Sequence, residues 1–280
     1  MRIRIAHSPD SDDAFMFYAL TAGKIDTEGL EIEHVLADIE TLNREALRGT
    51  YEVSAISFHA YPYVADRYLV LPSGGSVGEG YGPIVVVKEK VESLKGKRVA
   101  IPGTLTTAYL VLKLYEPGFE EVVVPFDKVL DMVAQGIVDA GLVIHEGQLS
   151  YQDRGLQKMV DLGKWWQEKT NLPLPLGCNV VRKDLGAELI RKMERLMRNS
   201  IEYALQHKEE ALSFAREYAR DIKEDMERTG RFVSMYVNHR TLDYGEDGRQ
   251  AVRLLLQMGI ERGIIKAKML EVIFSDEVKD

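Results

Sequence analysis

Apolar and polar residues along the first third of the chain switch between two periods, and the switching predicts strands and helices in turn. Arg2 to Ala6 reads as a strand, and DAFMFYALTAG, Asp13 to Gly23, as a helix opened by an aspartate and closed by Gly23. Leu30 to Leu36 reads as a second strand. IETLNREALRGTYE then places Leu42, Ala46 and Leu47 at helical spacing, and VSAISF is a short apolar third strand. Strands joined through helices in this way predict right-handed βαβ crossovers and a mainly parallel sheet.

The pattern restarts after YLVLPSGGSVGEGYGPIVVV. VESLKGKRVAIPGTLTTAYLVLKLY gives a strand, a tight turn and a helix, and EVVVPFDKVLDMVAQGIVDAGLVI adds a strand, an amphipathic helix and a buried strand. The unit runs to PLPLGCNVVRK. Beyond it the chain is helical, with Leu189, Met193, Leu196, Met197, Ile201 and Leu205 on one stripe and RQAVRLLLQMGIERGII repeating the pattern. The restart predicts two α/β domains: a discontinuous first domain of residues 1–86 and 182–280, and a second of residues 87–181 inserted between two chain crossings. The glycine-rich GGSVGEGYG lacks the Lys-Ser/Thr pair of a phosphate-binding loop and reads as a connection.

Composition narrows the partners. A chain of 280 residues, 45% hydrophobic, can bury one large core or two modest ones. Its formal net charge of −8 offers no basic face, so neither nucleic acid nor an anionic membrane is an expected partner. No apolar run reaches the roughly 18 residues of a membrane span, and no export signal is visible, which together predict a cytoplasmic protein. A single cysteine, Cys178, excludes an intrachain disulfide and a cysteine-based zinc site.

Four stretches carry candidate chemistry. HSPDSDDAFMF crowds Asp10, Asp12 and Asp13 behind the first strand, but the glycine and glutamate of a calcium loop are not in place and no metal is expected. Asp12 or Asp13 reads as a helix cap, and Ser8, Asp10 and Ser11 as the rim of a ligand site, because open α/β sheets bind ligands beyond the carboxyl ends of their strands. In IPGTLTTAYLVLKL, the hydroxyls of Thr104, Thr106 and Thr107 precede an apolar helix; they are either a cap alone or, with the helix N–H groups, an anion seat. His145 ends an apolar strand in VDAGLVIHEGQLSY, where it is either a packed residue or a general base. Ser57 and His59 follow the third strand, without the nucleophile elbow of a serine hydrolase.

Several of these stretches recur together in one family. SFHAYPYVADRY, GYGPIVVV, VAIPGTLTTA, VDAGLVIHEGQ, WWQEKTNLPLPLG and YVNHRTLDYGEDG resemble the menaquinone-biosynthesis family of the futalosine pathway, in its 1,4-dihydroxy-6-naphthoate synthase branch more than its chorismate dehydratase branch. The resemblance implies an α/β, two-lobed type II periplasmic-binding-protein-like fold with a ligand cleft between the lobes. It also implies a lyase that needs no cofactor and acts on a small aromatic carboxylate, cyclic dehypoxanthine futalosine. By the same resemblance His145 is the general base, Thr106 and Thr107 receive the substrate carboxylate, and Ser57 adds a hydrogen bond from the other lobe. The alternatives are a small-carboxylate-binding protein and chorismate dehydratase itself. HSPDSDDAF departs from the branch pattern Ser-x-Cys-Pro-Asn-Asp-Thr-Phe by losing the Cys and the Asn and gaining acid.

Overall fold

The computed structural model describes residues 1–219, 222–267 and 272–278. The chain opens with β1 (Arg2–His7), α1 (Ser11–Thr21), β2 (Glu31–Leu36), α2 (Ile39–Arg48) and β3 (Val53–Ser57), then two short strands, β4 (Tyr68–Val70) and β5 (Ser76–Gly78). A second unit holds β6 (Ile84–Val87), β7 (Arg98–Ile101), α3 (Thr107–Tyr115), β8 (Glu120–Val123), α4 (Val129–Ala134), β9 (Ala140–Val143), α5 (Gly147–Ser150), β10 (Gln157–Asp161) and α6 (Leu162–Thr170). β11 (Leu174–Arg182) rejoins the first unit, followed by α7 (Ala187–Gln206), α8 (Lys208–Arg216), α9 (Met226–Tyr236), α10 (His239–Leu242) and α11 (Gly245–Glu261).

These strands form two sheets, one per lobe. The first has the order β2-β1-β3-β11-β4, with β5 also on β11; β1 is parallel to β2 and β3, as the crossovers require, and β11 is antiparallel to β3. The second has the order β10-β6-β9-β7-β8, with β7 parallel to β8 and β9, and with β6 and β10 antiparallel. The carboxyl ends of β1, β3, β7 and β9 meet at the junction of the lobes, which is where a cleft is expected in such sheets.

The sheet changes fall earlier than the sequence pattern sets them. Ile84–Val87 lies wholly in the second sheet and Leu174–Arg182 wholly in the first, so residues 84–86 and 174–181 lie across the expected boundaries at 86/87 and 181/182. The physical reason is that both strands are apolar runs with buried positions on both faces, and such runs read alike in either sheet. Part of the glycine-rich connection is itself a strand, β5. The first crossing runs backbone to backbone against the first turn of α6: a Cβ on Gly163 would lie 1.9 Å from the carbonyl oxygen of Tyr81.

Helix α1 is apolar nearly all round, and Asp13 to Leu20 are buried among the first sheet, α7, α8 and α9. It begins two residues before the predicted start. Asp10 has the extended backbone of a cap residue, yet its side chain makes no cap hydrogen bond. Neither Asp12 nor Asp13 is the cap: both sit in the first turn, and Asp13 turns back to accept from the Ser8 N–H at 2.7 Å. The loop at residues 8–10 is therefore clamped between a strand and a buried helix.

Candidate active site

A cleft lined by side chains of both lobes opens at their junction, the usual place for a ligand site in such a fold. From the first lobe come Ser8, Asp10, Asp12 and Asp13 after β1, Ser57 at the end of β3, and Asn179 on β11. The second lobe supplies Thr106, Thr107 and Ala108 at the start of α3, and His145 and Gln148 beyond β9. Met16, Ala55, Ile56, Ile144 and Leu176 make much of the remaining wall apolar.

His145 occupies a left-handed backbone conformation, φ +59°, which costs a residue with a Cβ about 1–2 kcal/mol and so must be imposed by its surroundings. The HEG turn supplies part of that constraint, since Gln148 N–H donates to the His145 carbonyl at 3.1 Å and begins α5. The ring is held between the edge of Phe126, with centroids 4.7 Å apart, and the carboxylate of Asp10, whose Oδ2 lies 2.9 Å from Nδ1. Ser8 Oγ donates to the same Asp10 oxygen. With Nδ1 paired to a carboxylate, Nε2 is the nitrogen left for chemistry; it is buried and has no protein partner among the described residues. Asp10, expected as a ligand contact, is thus the partner of His145 and reaches it across the cleft.

The electrostatics follow from this crowding. Burial alone would lower the His145 pKa, but Asp10 overrides it, aided by Glu146 and Asp12, and lifts it to about 9. Burial together with the neighbouring carboxylates Asp13 and Asp10 holds Asp12 well above the usual carboxylate range. Burial and Asp10 push Asp13 to about 7, and burial and Asp10 also raise Glu146. The Cys178 thiol in the cleft wall is pushed up by burial and stays protonated at neutral pH. No three His, Cys, Asp or Glu side chains among the described residues are placed to hold a metal ion.

Because the folded pKa of Asp13 lies above its unfolded value of about 3.9, its contribution to stability is complete below that value and is lost as pH rises through about 7. Asp13→Asn keeps an acceptor for Ser8 N–H and removes the titration. The variant should match the parent near pH 4 and become progressively more stable than it up to pH 7 in thermal unfolding; a stability difference that does not vary with pH would contradict this.

Other predicted ligand groups have different partners. Ser11 does not line the cleft: it is fully buried, and its Oγ donates to Glu146 Oε1 at 2.7 Å, joining the lobes. Thr106 caps α3, accepting from Tyr109 N–H at 3.2 Å and donating to the Gly103 carbonyl at 3.1 Å. Thr107 Oγ donates to the Leu176 carbonyl at 2.5 Å and accepts from His59 N–H at 3.2 Å. Both hydroxyls are engaged within the protein, so the part of this helix start that can face an anion is its backbone N–H groups. Thr107→Val, which keeps the shape and removes the hydroxyl, should cost about 1–3 kcal/mol by leaving the buried His59 N–H unpaired, while the Leu176 carbonyl keeps its hydrogen bond from Phe58 N–H. Denaturant unfolding measures it, and an unchanged midpoint would show that the tie contributes nothing.

Ser57 keeps a hydrogen for a ligand, because its Oγ accepts from Asn43 Nδ2 at 3.1 Å while its N–H donates to Asn43 Oδ1 at 2.7 Å. Asn43 and Glu40 were not legible as site residues. Asn43 also donates to the Leu105 carbonyl at 3.3 Å, and Glu40 accepts from Leu105 N–H at 3.1 Å, so α2 grips the loop before α3. In the sequence Glu40 and Arg44 have the spacing of an ordinary surface ion pair. Asn43 is a polar residue next to Leu42 on a helix face that gave no warning of its complete burial. Gln148 and Tyr236 were missed too; both line the cleft, and Tyr236 donates to Gln148 Oε1 at 2.9 Å.

A family model described as menaquinone biosynthesis matches residues 3–261. The chain belongs to the menaquinone-biosynthesis family. Within that assignment it is 46% identical, over 262 residues, to a curated protein named 1,4-dihydroxy-6-naphtoate synthase from Thermus thermophilus; the match covers 94% of this chain and 95% of that one. A crystal structure of a protein from Archaeoglobus fulgidus is 51% identical, superposes with a TM-score of 0.91, and is matched over 94% of this chain and 98% of its own. A Candida albicans protein described as having the generic periplasmic-binding-protein fold superposes with a TM-score of 0.66 at 14% identity, covering 97% of each chain, and at that distance the likeness shows the fold alone. Family and fold agree with the two sheets and the cleft between them. No helix among the described residues is long and apolar enough to cross a membrane.

Proposed function

We propose that the cleft is the active site of a lyase that converts cyclic dehypoxanthine futalosine to 1,4-dihydroxy-6-naphthoate and a ribose-derived product. The observation that carries this reading is the cross-lobe dyad: His145 Nε2 stands unpaired in the cleft while Asp10 holds Nδ1. In its deprotonated form, whose share grows as pH rises towards about 9, a histidine fixed this way takes a proton at Nε2, and the nearby carboxylate stabilises the imidazolium that results. Loss of a ring proton from the substrate allows the second ring to become aromatic as the bond to the sugar-derived part breaks. The electron pair leaves with that part, which then takes up a proton.

Binding follows from the wall. The substrate carboxylate meets the N–H groups of Thr107 and Ala108 at the start of α3, where the helix dipole favours an anion. Ser57 donates from the opposite lobe, and the apolar positions flank the fused rings. Asp10 belongs to the first lobe and His145 to the second, as do Ser11 and Glu146, so bringing the lobes together both orders the base and excludes water. The test is to incubate the purified protein with cyclic dehypoxanthine futalosine and follow 1,4-dihydroxy-6-naphthoate by mass. Product formed in proportion to enzyme supports the lyase; tight binding without product would favour a carboxylate-binding protein instead.

A further inference from the structure

We infer that Asn179 is a specificity-determining residue of this cleft, its Oδ1 accepting a hydrogen bond from a hydroxyl on the sugar-derived part of the substrate. The inference rests on the lyase reading and adds to it the group that recognises the end of the substrate remote from the carboxylate. Asn179 pairs with Ala55 in the β11–β3 ladder, and two residues away Gly177 pairs with Ser57. Strand alternation therefore puts the Asn179 side chain on the same face as Ala55 and Ser57, which also line the cleft.

The orientation of the amide is fixed. Nδ2 donates to the Gly74 carbonyl at 2.9 Å, so the group opposite it must be the carbonyl oxygen. Gly74 is itself held by its N–H on the Thr241 carbonyl at 2.7 Å, and it lies so close that a Cβ there would sit 2.6 Å from Nδ2. Flipping the amide would set two carbonyl oxygens against each other. Asn179 is only 1% exposed, and Oδ1 has no protein partner among the described residues. A buried amide oxygen is costly to leave unpaired, and it can be satisfied only by a donor. That excludes the ionised carboxylate of the substrate and selects a hydroxyl.

Position selects which hydroxyl. Leu176, which receives the Thr107 hydroxyl at the carboxylate end of the cleft, lies three residues before Asn179 on the same strand, about 10 Å away at the usual rise per residue. The oxygen of Asn179 therefore faces the opposite end of a fused two-ring acid, where the sugar-derived part is attached.

The experiment compares Asn179→Leu with the parent for turnover of cyclic dehypoxanthine futalosine and for equilibrium binding of 1,4-dihydroxy-6-naphthoate, which lacks the sugar-derived part. The expected result is a drop of about 10- to 100-fold in kcat/KM with product affinity unchanged. Asn179→Asp, which as a buried neutral acid can donate to Gly74 and still accept, should recover most of the loss; a merely structural role would weaken product binding along with turnover, and Asn179→Ala makes the same comparison if the leucine variant does not fold. Equal weakening of substrate and product, or no change in either, would overturn the assignment of Asn179. Absence of turnover in the parent protein would instead overturn the lyase reading.

Discussion

Replacing His145 with alanine is expected to lower kcat for cyclic dehypoxanthine futalosine on the order of 10²-fold or more, with KM nearly unchanged. The expectation comes from placement. Nε2 is the buried, unpartnered nitrogen of a ring whose other side is fixed by Asp10 and Phe126, so removing the ring removes the proton acceptor and little of the surface that binds the aromatic acid. The left-handed backbone at φ +59° adds a control: asparagine tolerates that conformation better than alanine, so His145→Asn separates loss of the base from strain in the turn. Both variants should bind the substrate and fail to cleave it. Unchanged kcat in either would remove His145 from the mechanism.

The second large effect is expected at Asp10. Asp10→Asn preserves size but cannot hold Nδ1 as a carboxylate does, and it allows the imidazole to turn its proton toward the substrate in the wrong tautomer; losses on the order of 10²- to 10⁴-fold accompany such changes in comparable dyads. The variant also shifts the titration. Asp10 is the charge that lifts His145 to about 9 against the opposing effect of burial, so without it the histidine should deprotonate at or below its ordinary range near pH 6.5. A parent enzyme whose rate grows with pH towards 9 and a variant whose lower rate is already level at neutrality is the expected pair of behaviours, measured in steady-state assays.

The sequence made most of the fold legible because its strands and helices carry different periods, and because βαβ order leaves few ways to arrange them. It was least informative where burial is two-sided: Ile84–Val87 and Leu174–Arg182 read alike whichever sheet takes them. For the site, strand ends pointed to Asp10, Ser57 and His145, since loops beyond parallel strands are where side chains from different elements converge. What joins Asp10 to His145, or Ser11 to Glu146, is a contact between lobes 135 residues apart in the chain, and no local pattern encodes it. Thr106 and Thr107 were visible as hydroxyls at a helix start, but a sequence does not distinguish a hydroxyl that caps a helix or ties two lobes from one that waits for a ligand. Asn43 and Asn179 were silent because a single buried amide leaves the surrounding apolar periodicity intact.

The claim on which the rest depends is that Asp10 and His145 act as one unit on this substrate. The most direct measurement is the pH dependence of kcat/KM for cyclic dehypoxanthine futalosine in the parent and in Asp10→Asn. The account predicts a parent rate rising about tenfold per pH unit from 7 towards a plateau near 9, and a variant with a lower plateau reached at least two units earlier. Coincident profiles would contradict it.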